Sequence, residues 1–224
     1  MRSPLNYPLG PGAEAFTIGK DSVLPCPVVT GHQVHGAKIA VVDSPGITRE
    51  DLEGYDVFLT RTPGVAVGVR TADCVPVLLY DPGKRIVAAI HAGWKGSVQR
   101  ITQKAVMKMV NDFGSNAADI RAAFGPAIGA ESFQVGEEVV GYFKAQGFPL
   151  DDIWFFNKGM GESPMYHGHH IDLMKANAWL LEQSGVAREH IFISDIDTYT
   201  DPAYYSARRE GIGTGRNISA IRLV

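Results

Sequence analysis

The sequence predicts one compact domain over residues 1–224, in which a mixed β-sheet carries packed helices. Its 224 residues suit one domain that can bury a sizeable core. Apolar runs rich in β-branched residues alternate with runs of helical periodicity. A turn of Asp-Pro-Gly-Lys at 81–84 joins two such runs directly. Parallel strands need a longer crossover, so part of the sheet must be antiparallel.

The strands follow from short apolar runs bounded by turn residues. Residues 75–81 and 85–93 flank the turn at Asp81 and should form a hairpin. An alternating stretch around Ile39 and Val41 predicts a further strand, and residues 1–30 are expected only to cap the domain. Strands are also predicted at 65–70, 120–128, 190–197 and 217–224.

The helices are predicted from apolar residues spaced three to four apart. Residues 97–114 read as one helix with Ser97 as the N-cap and Gly114 as the terminator. Residues 135–147 and 171–185 give two more helices, and the second should begin at the cap residue Asp172.

Composition excludes several classes of protein. The formal net charge of -3 gives no polybasic surface for nucleic acid or anionic lipid. No apolar run reaches about 18 residues, so no membrane span is expected. The first residues lack the apolar core of a secretory signal, and two cysteines do not make a disulfide scaffold. A cytoplasmic protein with free thiols is the expectation, and no particular oligomeric state is predicted.

Three separated side chains could converge on a metal ion. Cys74 precedes one strand of the hairpin and His91 ends the other, so the two can meet across it. A third ligand could be His35 or His32, which lie three residues apart before the strand at Ile39. Two imidazoles and one thiolate suit zinc with an open fourth position. Alternatively, Cys74 is an inert buried thiol. The cluster of His167, His169 and His170 is a rival metal site, although such a segment is more often a polar loop.

Basic residues near glycines suggest a phosphate site. Lys95 lies in a glycine-containing segment before a helix, and Arg208, Arg209 and Arg216 lie among glycines near the end. Helix starts and guanidinium groups both favour anions. The alternative is a charged surface turn before the last strand.

Six motifs occur in the order found in one protein family. They are QVHG (33–36), TADCVPVLL (71–79), HAGWKG (91–96), GPAIG (125–129), DLMKAN (172–177) and YSARREGIGTGR (205–216). From about Gly31 onward the chain resembles the bacterial YfiH-like proteins. These proteins were once described as multicopper polyphenol oxidases or laccases and are also called peptidoglycan editing factors.

The resemblance implies an α+β fold with mixed sheets and one zinc ion held by His35, Cys74 and His91. It also implies phosphorolysis of purine nucleosides (adenosine, inosine and methylthioadenosine) to base and ribose 1-phosphate, with deamination of adenosine. The expected partners are therefore purine nucleosides and phosphate. Gln33, Lys95, Arg208 and Arg209 are the predicted substrate- and phosphate-binding residues. Asp73 is either a catalytic proton carrier beside the metal or a carboxylate that orients a ligand histidine.

This chain departs from the family pattern at some positions. Relatives often carry cysteines in the segments at 125–131 and 195–202, which have none here, and Ala207 stands where tyrosine is usual. The missing thiols weaken any case for several copper ions.

Three alternatives remain. A copper-dependent polyphenol oxidase would use the same ligands. A metal-free hydrolase would use Cys74 as nucleophile and His91 as base. A binding module for cell-wall precursors would need no catalysis.

Overall fold

A computed structural model describes residues 2–44, 46–159 and 167–224, and these residues form three sheets and the helices packed on them. The strands are β1 (Leu5–Asn6), β2 (Ala13–Ile18), β3 (Val28–Val29), β4 (Ile39–Val41), β5 (Val57–Thr60), β6 (Ala66–Thr71), β7 (Val75–Asp81), β8 (Ile86–Ala92), β9 (Arg121–Phe124), β10 (Gln134–Val135), β11 (Trp154–Lys158), β12 (His167–Ile171), β13 (Ile191–Ile193) and β14 (Asn217–Leu223). The α-helices are α1 (Trp94–Val98), α2 (Ile101–Phe113), α3 (Glu137–Ala145), α4 (Leu150–Ile153), α5 (Leu173–Gln183) and α6 (Ala207–Glu210).

The predicted hairpin forms the middle of a six-stranded sheet in the order β13-β9-β7-β8-β5-β4. Asp81 stabilises its turn, because one carboxylate oxygen accepts hydrogen bonds from the backbone N–H of Gly83 and Lys84 at 2.8 and 3.0 Å. Every residue of β7 and β8 is buried, which explains their nearly continuous apolar sequence. The sheet is therefore covered on both faces.

Side chains along the hairpin point alternately to the two faces of the sheet, and each face belongs to a different hydrophobic core. Val77 and Leu79 lie on the face covered by helices and belong to one hydrophobic core with Ile101 and Met109 of α2. Leu78 and its same-face neighbours pack instead against a five-stranded sheet in the order β1-β2-β14-β6-β3. The first residues of the chain are thus more than a cap, because they supply three of the five strands described in this second sheet.

One predicted helix is broken in two. Arg100 has φ 60, a left-handed conformation that ends one helix, α1, and separates it from the next, α2. Ser97 is accordingly not an N-cap as predicted. It is buried inside α1, and its hydroxyl donates to the carbonyl of Gly93 at 3.0 Å. The other predicted ends are confirmed: Gly114 ends α2 with φ 70, and the Asp172 side chain accepts from the backbone N–H of Lys175.

The histidine-rich segment is a strand, not the polar loop expected. β12 lies between β10 and β11 in a three-stranded antiparallel sheet. His169 accepts a hydrogen bond from the indole of Trp154 at 3.0 Å, and His170 bonds the carbonyl of Ala130 at the same distance. These imidazoles therefore serve packing in the sheet.

Parallel and antiparallel pairs occur in both larger sheets, which confirms the predicted α+β fold with mixed sheets and packed helices. Within the described ranges, no helix has both the length and the apolar character needed to cross a membrane.

Candidate metal centre and its cavity

His35, Cys74 and His91 converge at one point. One potential ligand atom from each of the three lies within 4.8 Å of the other two. The two imidazole rings meet edge to face with centroids 4.8 Å apart. His32, the other histidine left open by the sequence, lies outside this group and bridges in the backbone to Glu53. Among the described residues, this is the only group of three or more such side chains close enough to hold a metal ion.

The hairpin register brings Cys74 and His91 together. Val75 pairs with Ala92 and Pro76 with His91, so Cys74 lies opposite Gly93. A β-carbon on Gly93 would stand 2.9 Å from the Cys74 sulfur and 3.1 Å from Cδ2 of His35. The glycine of the HAGW motif therefore makes room for the two other donors.

One buried carboxylate orients both histidines. Asp56 is fully buried directly before β5, and its Oδ1 accepts from Nδ1 of His91 at 2.7 Å. The same carboxylate accepts from the backbone N–H of Val34, His35 and Gly36 at 3.3, 3.0 and 2.8 Å. These bonds hold the loop in which His35 has φ 60. With Nδ1 protonated toward Asp56, Nε2 of His91 keeps its lone pair for a metal.

The charges around the thiol favour its ionised form. Burial alone would raise the pKa of Cys74, but the neighbouring imidazoles of His91 and His35 lower it to about 6. Burial likewise would lower the pKa of His91, but Cys74 and Asp56 raise it to about 9. The carboxyl of Asp56 has a lowered pKa: burial opposes this, but the contact with His91 and the backbone hydrogen bonds from Gly36 and Val34 together outweigh it. Without a metal, both shifts favour a thiolate beside an imidazolium.

The donor set fits a zinc ion. It combines one thiolate with two imidazoles, and a carboxylate fixes the ring orientation of His91. Soft sulfur disfavours magnesium or calcium, and three protein donors leave a position open for a water or substrate. Because the group opens onto a cavity, that position would be accessible.

The cavity beside these donors has a volume of about 920 Å³ and a cationic lining. That volume is within the usual range for small-molecule sites. Its charged lining residues in the described chain are Arg49, Arg70, Arg208, Arg216 and Asp73. Its apolar and aromatic lining residues include Trp94, Ile128, Phe133 and Ile212. The cavity thus offers planar and apolar walls together with an excess of positive charge, in a protein whose net charge is -3.

Asp73 fastens two segments of the cavity wall. Its Oδ1 accepts from the Thr198 hydroxyl and its Oδ2 from the backbone N–H of Arg208, both at 2.7 Å. Its backbone has φ 89, which is uncommon outside glycine, directly before the cysteine. The carboxylate that contacts a ligand histidine is Asp56 rather than Asp73. As a possible proton carrier, Asp73 stays a prediction.

The predicted phosphate-binding residues occupy different places. Gln33 and Arg208 line the cavity, whereas Lys95 and Arg209 do not. The Arg208 guanidinium donates to the carbonyls of Ser132 and Gln134 at 3.4 and 3.0 Å. The guanidinium of Arg209 donates to backbone carbonyls of residues 198–204 and pairs with Glu210, so it is used in holding that loop. A phosphate role for Lys95 and Arg209 stays a prediction.

Sequence reasoning missed three residues of this site: Asp56, Arg49 and Arg70. Asp56 did leave a signal, because a charged residue directly before the buried run 57–60 needs a partner inside the fold. Arg49 and Arg70 left no local signal, since each lies far along the chain from the glycine-rich arginine motif it approaches in space.

The chain has clear relatives. The family model described as multi-copper polyphenol oxidoreductase laccase matches residues 18–224. A purine nucleoside phosphorylase of Bacteroides thetaiotaomicron is 40% identical over 176 residues, which cover 78% of this chain and 63% of that protein. A protein named adenosine deaminase RL5, from an unknown prokaryotic organism, is 39% identical over 201 residues, 87% of this chain and 74% of that one. The chain thus spans less than two thirds of the length of the Bacteroides protein.

Two crystal structures share the fold. The hypothetical protein YfiH of Bacillus licheniformis aligns with a TM-score of 0.83 at 25% identity, covering 98% of this chain and 99% of that chain. YlmD of Geobacillus stearothermophilus aligns with a TM-score of 0.82 at 27% identity, covering 99% and 96%. The fold predicted from the motifs is therefore shared along nearly the whole of both chains.

Proposed function

The chain belongs to the family described as multi-copper polyphenol oxidoreductase laccase, and within it we propose a zinc-dependent purine nucleoside phosphorylase that also deaminates adenosine. The observation that carries the proposal is the convergence of His35, Cys74 and His91 on a cavity with a cationic lining. The names of the relatives, purine nucleoside phosphorylase and adenosine deaminase, support the same two reactions.

The three donors would hold the zinc ion. When bound, zinc supplies Lewis acidity, which polarises a substrate atom or acidifies a water molecule. Asp56 keeps Nδ1 of His91 protonated and the Val34–Gly36 backbone in place, so the donor atoms are oriented before the ion arrives.

The rest of the cavity would bind the substrates. Trp94 and Phe133 give flat apolar surface for a purine, and the arginines attract phosphate. Asp73 is the only carboxylate among the described residues that line the cavity. Each of its oxygens accepts one hydrogen bond and keeps a lone pair. Asp73 could therefore carry a proton to or from the purine amino group in deamination.

Copper-dependent phenol oxidation is the second candidate, favoured by the description of the family. A laccase needs a three-copper cluster rich in imidazole in addition to a single-copper site. Across the described residues, the one metal-ligand group uses two of the seven histidines of the sequence. Metal analysis after purification without added copper separates the two functions: near-stoichiometric copper with a blue absorption band would favour the oxidase.

The deciding experiment incubates the metal-loaded protein with adenosine, with and without phosphate, and identifies products by chromatography. We expect inosine in both cases, and ribose 1-phosphate with adenine and hypoxanthine only when phosphate is present. Cys74→Ser should lose both zinc and turnover. Cys26→Ser is the matched control, because Cys26 lies outside this cavity and is also a free thiol.

Two results contradict the proposal. No turnover of any nucleoside by zinc-loaded protein would favour a binding module for cell-wall precursors. Chelator-resistant activity that Cys74→Ser abolishes would favour the metal-free hydrolase, which the lowered pKa of the thiol would suit.

A cytoplasmic location is also part of the proposal. Cys26 and Cys74 are both free thiols, and a thiolate metal ligand is best preserved in a reducing compartment.

A further inference from the structure

Three arginines form a cluster in the cavity, and the described residues supply no carboxylate that pairs with any of them. Arg49, Arg70 and Arg216, hereafter the arginine cluster, all line the cavity that the metal donors face. None of the three forms a salt bridge with a carboxylate among the described residues. Like charges placed together without a counter-ion are unfavourable, so the arrangement indicates an external anion.

Arg70 is the member whose guanidinium has no hydrogen-bond partner among the described residues. Two cluster members are already partly engaged: Arg49 donates from Nε to the carbonyl of Gly31 at 3.4 Å, and Arg216 donates to the carbonyls of Ile212, Thr214 and Gly215. No hydrogen bond from the Arg70 guanidinium occurs within the part of the chain that the structure describes. The pKa of Arg70 is lowered, first by burial and then by the charges of Arg49 and Arg216.

Gln33 fixes the backbone of Arg70. Its Oε1 accepts from the backbone N–H of Arg70 at 2.9 Å, and its Nε2 donates to the carbonyl of Arg70 at 3.0 Å. The side-chain amide thus takes the place of a neighbouring strand beyond the pairing of β3 with β6, which ends at Val29 and Val67. Gln33 is two residues from the metal donor His35, so one short segment positions both parts of the cavity.

We propose that Arg70, flanked by Arg49 and Arg216, is the binding residue for a tetrahedral phosphate group, and that Gln33 is its positioning residue. The proposal rests on the proposed function for the reaction that the anion serves, and it replaces Lys95 and Arg209 as the principal phosphate ligands. A guanidinium matches phosphate oxygens with paired hydrogen bonds, which an ammonium cannot do. The phosphate is either inorganic or the 5′-phosphate of a nucleotide.

The test measures binding of inorganic phosphate alone to the metal-loaded protein by titration calorimetry. Losing one charged hydrogen-bond partner weakens binding by about 10- to 100-fold, and Arg70→Gln should show this loss. Arg61→Gln is the matched control, because Arg61 is exposed, lies outside the cavity and removes the same charge. If Arg70→Gln does not fold, Arg70→Lys can be used instead. It keeps the positive charge but lacks the paired N–H donors of the guanidinium, so it should still bind phosphate more weakly than the wild type.

Gln33 is tested in a double-mutant cycle. Gln33→Met keeps the size and removes both hydrogen bonds, so it should weaken phosphate binding in the wild-type background. It should have little further effect when Arg70→Gln is already present, since a positioning residue acts only through its partner. Additive effects would overturn this role.

The outcomes separate the anion site from the enzymatic proposal. Phosphate binding by Arg70→Gln equal to that of the wild type overturns the site, whatever the protein does to adenosine. Phosphate binding that depends on Arg70, without phosphorolysis, keeps the site and rejects the phosphorylase. Tighter binding of adenosine 5′-monophosphate than of adenosine, lost in Arg70→Gln, identifies the nucleotide as the source of the phosphate group.

Discussion

Substitution of Asp56 by asparagine should weaken metal binding although all three metal donors are still present. The Asp56 carboxylate accepts four hydrogen bonds, two on each oxygen. In asparagine an NH₂ group replaces one oxygen, so two N–H donors would face another donor and lose their acceptor. All three ligand side chains stay unchanged in this variant, so any loss of affinity comes from their orientation and from the lost carboxylate charge beside His91.

The magnitude follows from those lost bonds. A buried N–H left without a partner costs about 1–3 kcal/mol. Two such groups, one of them in the loop at Val34 near solvent, should lower the free energy of unfolding by about 2–4 kcal/mol. Loss of a carboxylate that orients a ligand histidine typically weakens metal binding about 10- to 100-fold.

The assay is zinc competition against a chromophoric chelator, with urea unfolding of the metal-free protein measured in parallel. Asp81→Asn is the matched control. Asp81 is also buried, but its Oδ1 accepts both turn hydrogen bonds, and its Oδ2 has no partner among the described residues. An amide fits there without losing an acceptor. A folded Asp56→Asn protein with wild-type zinc affinity would refute the reasoning.

Three further substitutions test separate features. Gly93→Ala should lower the zinc content measured by mass spectrometry, because the added methyl would lie 2.9 Å from the Cys74 sulfur; unchanged zinc would show that the site can expand. Gly141→Ala in α3 should raise the free energy of unfolding in urea by about 0.5–1 kcal/mol, since nothing lies within 4 Å of the new carbon; a loss of stability would contradict this. Lys20, Thr214 and Arg209 hold the pKa of Glu210 at about 2, below its ordinary 4.5. Its stabilising contribution should therefore be complete above about pH 4.5 and decline as the pH falls toward about 2. Melting temperatures of wild type and Glu210→Gln should accordingly differ near neutral pH and converge in acid; a constant difference would contradict the assignment.

Local sequence signals predicted the parts of the fold that depend on local contacts. The hairpin from Val75 to Ala92 and helix α5 were identified because turn residues and caps are near neighbours in sequence. The break at Arg100 was missed because nothing in the periodicity of residues 97–114 marks it. There, tertiary contacts of Arg100 with Gln146 and Trp179 accompany the break in a continuous helical pattern.

The candidate site likewise contains residues that local sequence signals could place and residues that they could not. Cys74 and His91 could be placed together by counting residues from the turn, and the family motifs chose His35 over His32. The buried Asp56 and the approach of Arg49 and Arg70 to Arg216 depend on pairing between distant strands, which a single sequence does not specify. The strand β12 was mistaken for a loop because His167, His169 and His170 have no β-strand propensity of their own.

The placement of β14 has a consequence for the order of events during synthesis. This strand pairs with β2 on one side and β6 on the other, and it directly follows the loop that carries Arg216. The hairpin with Cys74 and His91 needs only contacts close in sequence, which form early. Arg216 can join Arg49 and Arg70 only once residues 217–223 have been made and inserted between strands that emerged long before. In a growing chain, the proposed metal donors Cys74 and His91 can therefore come together before the proposed anion-binding residues are assembled.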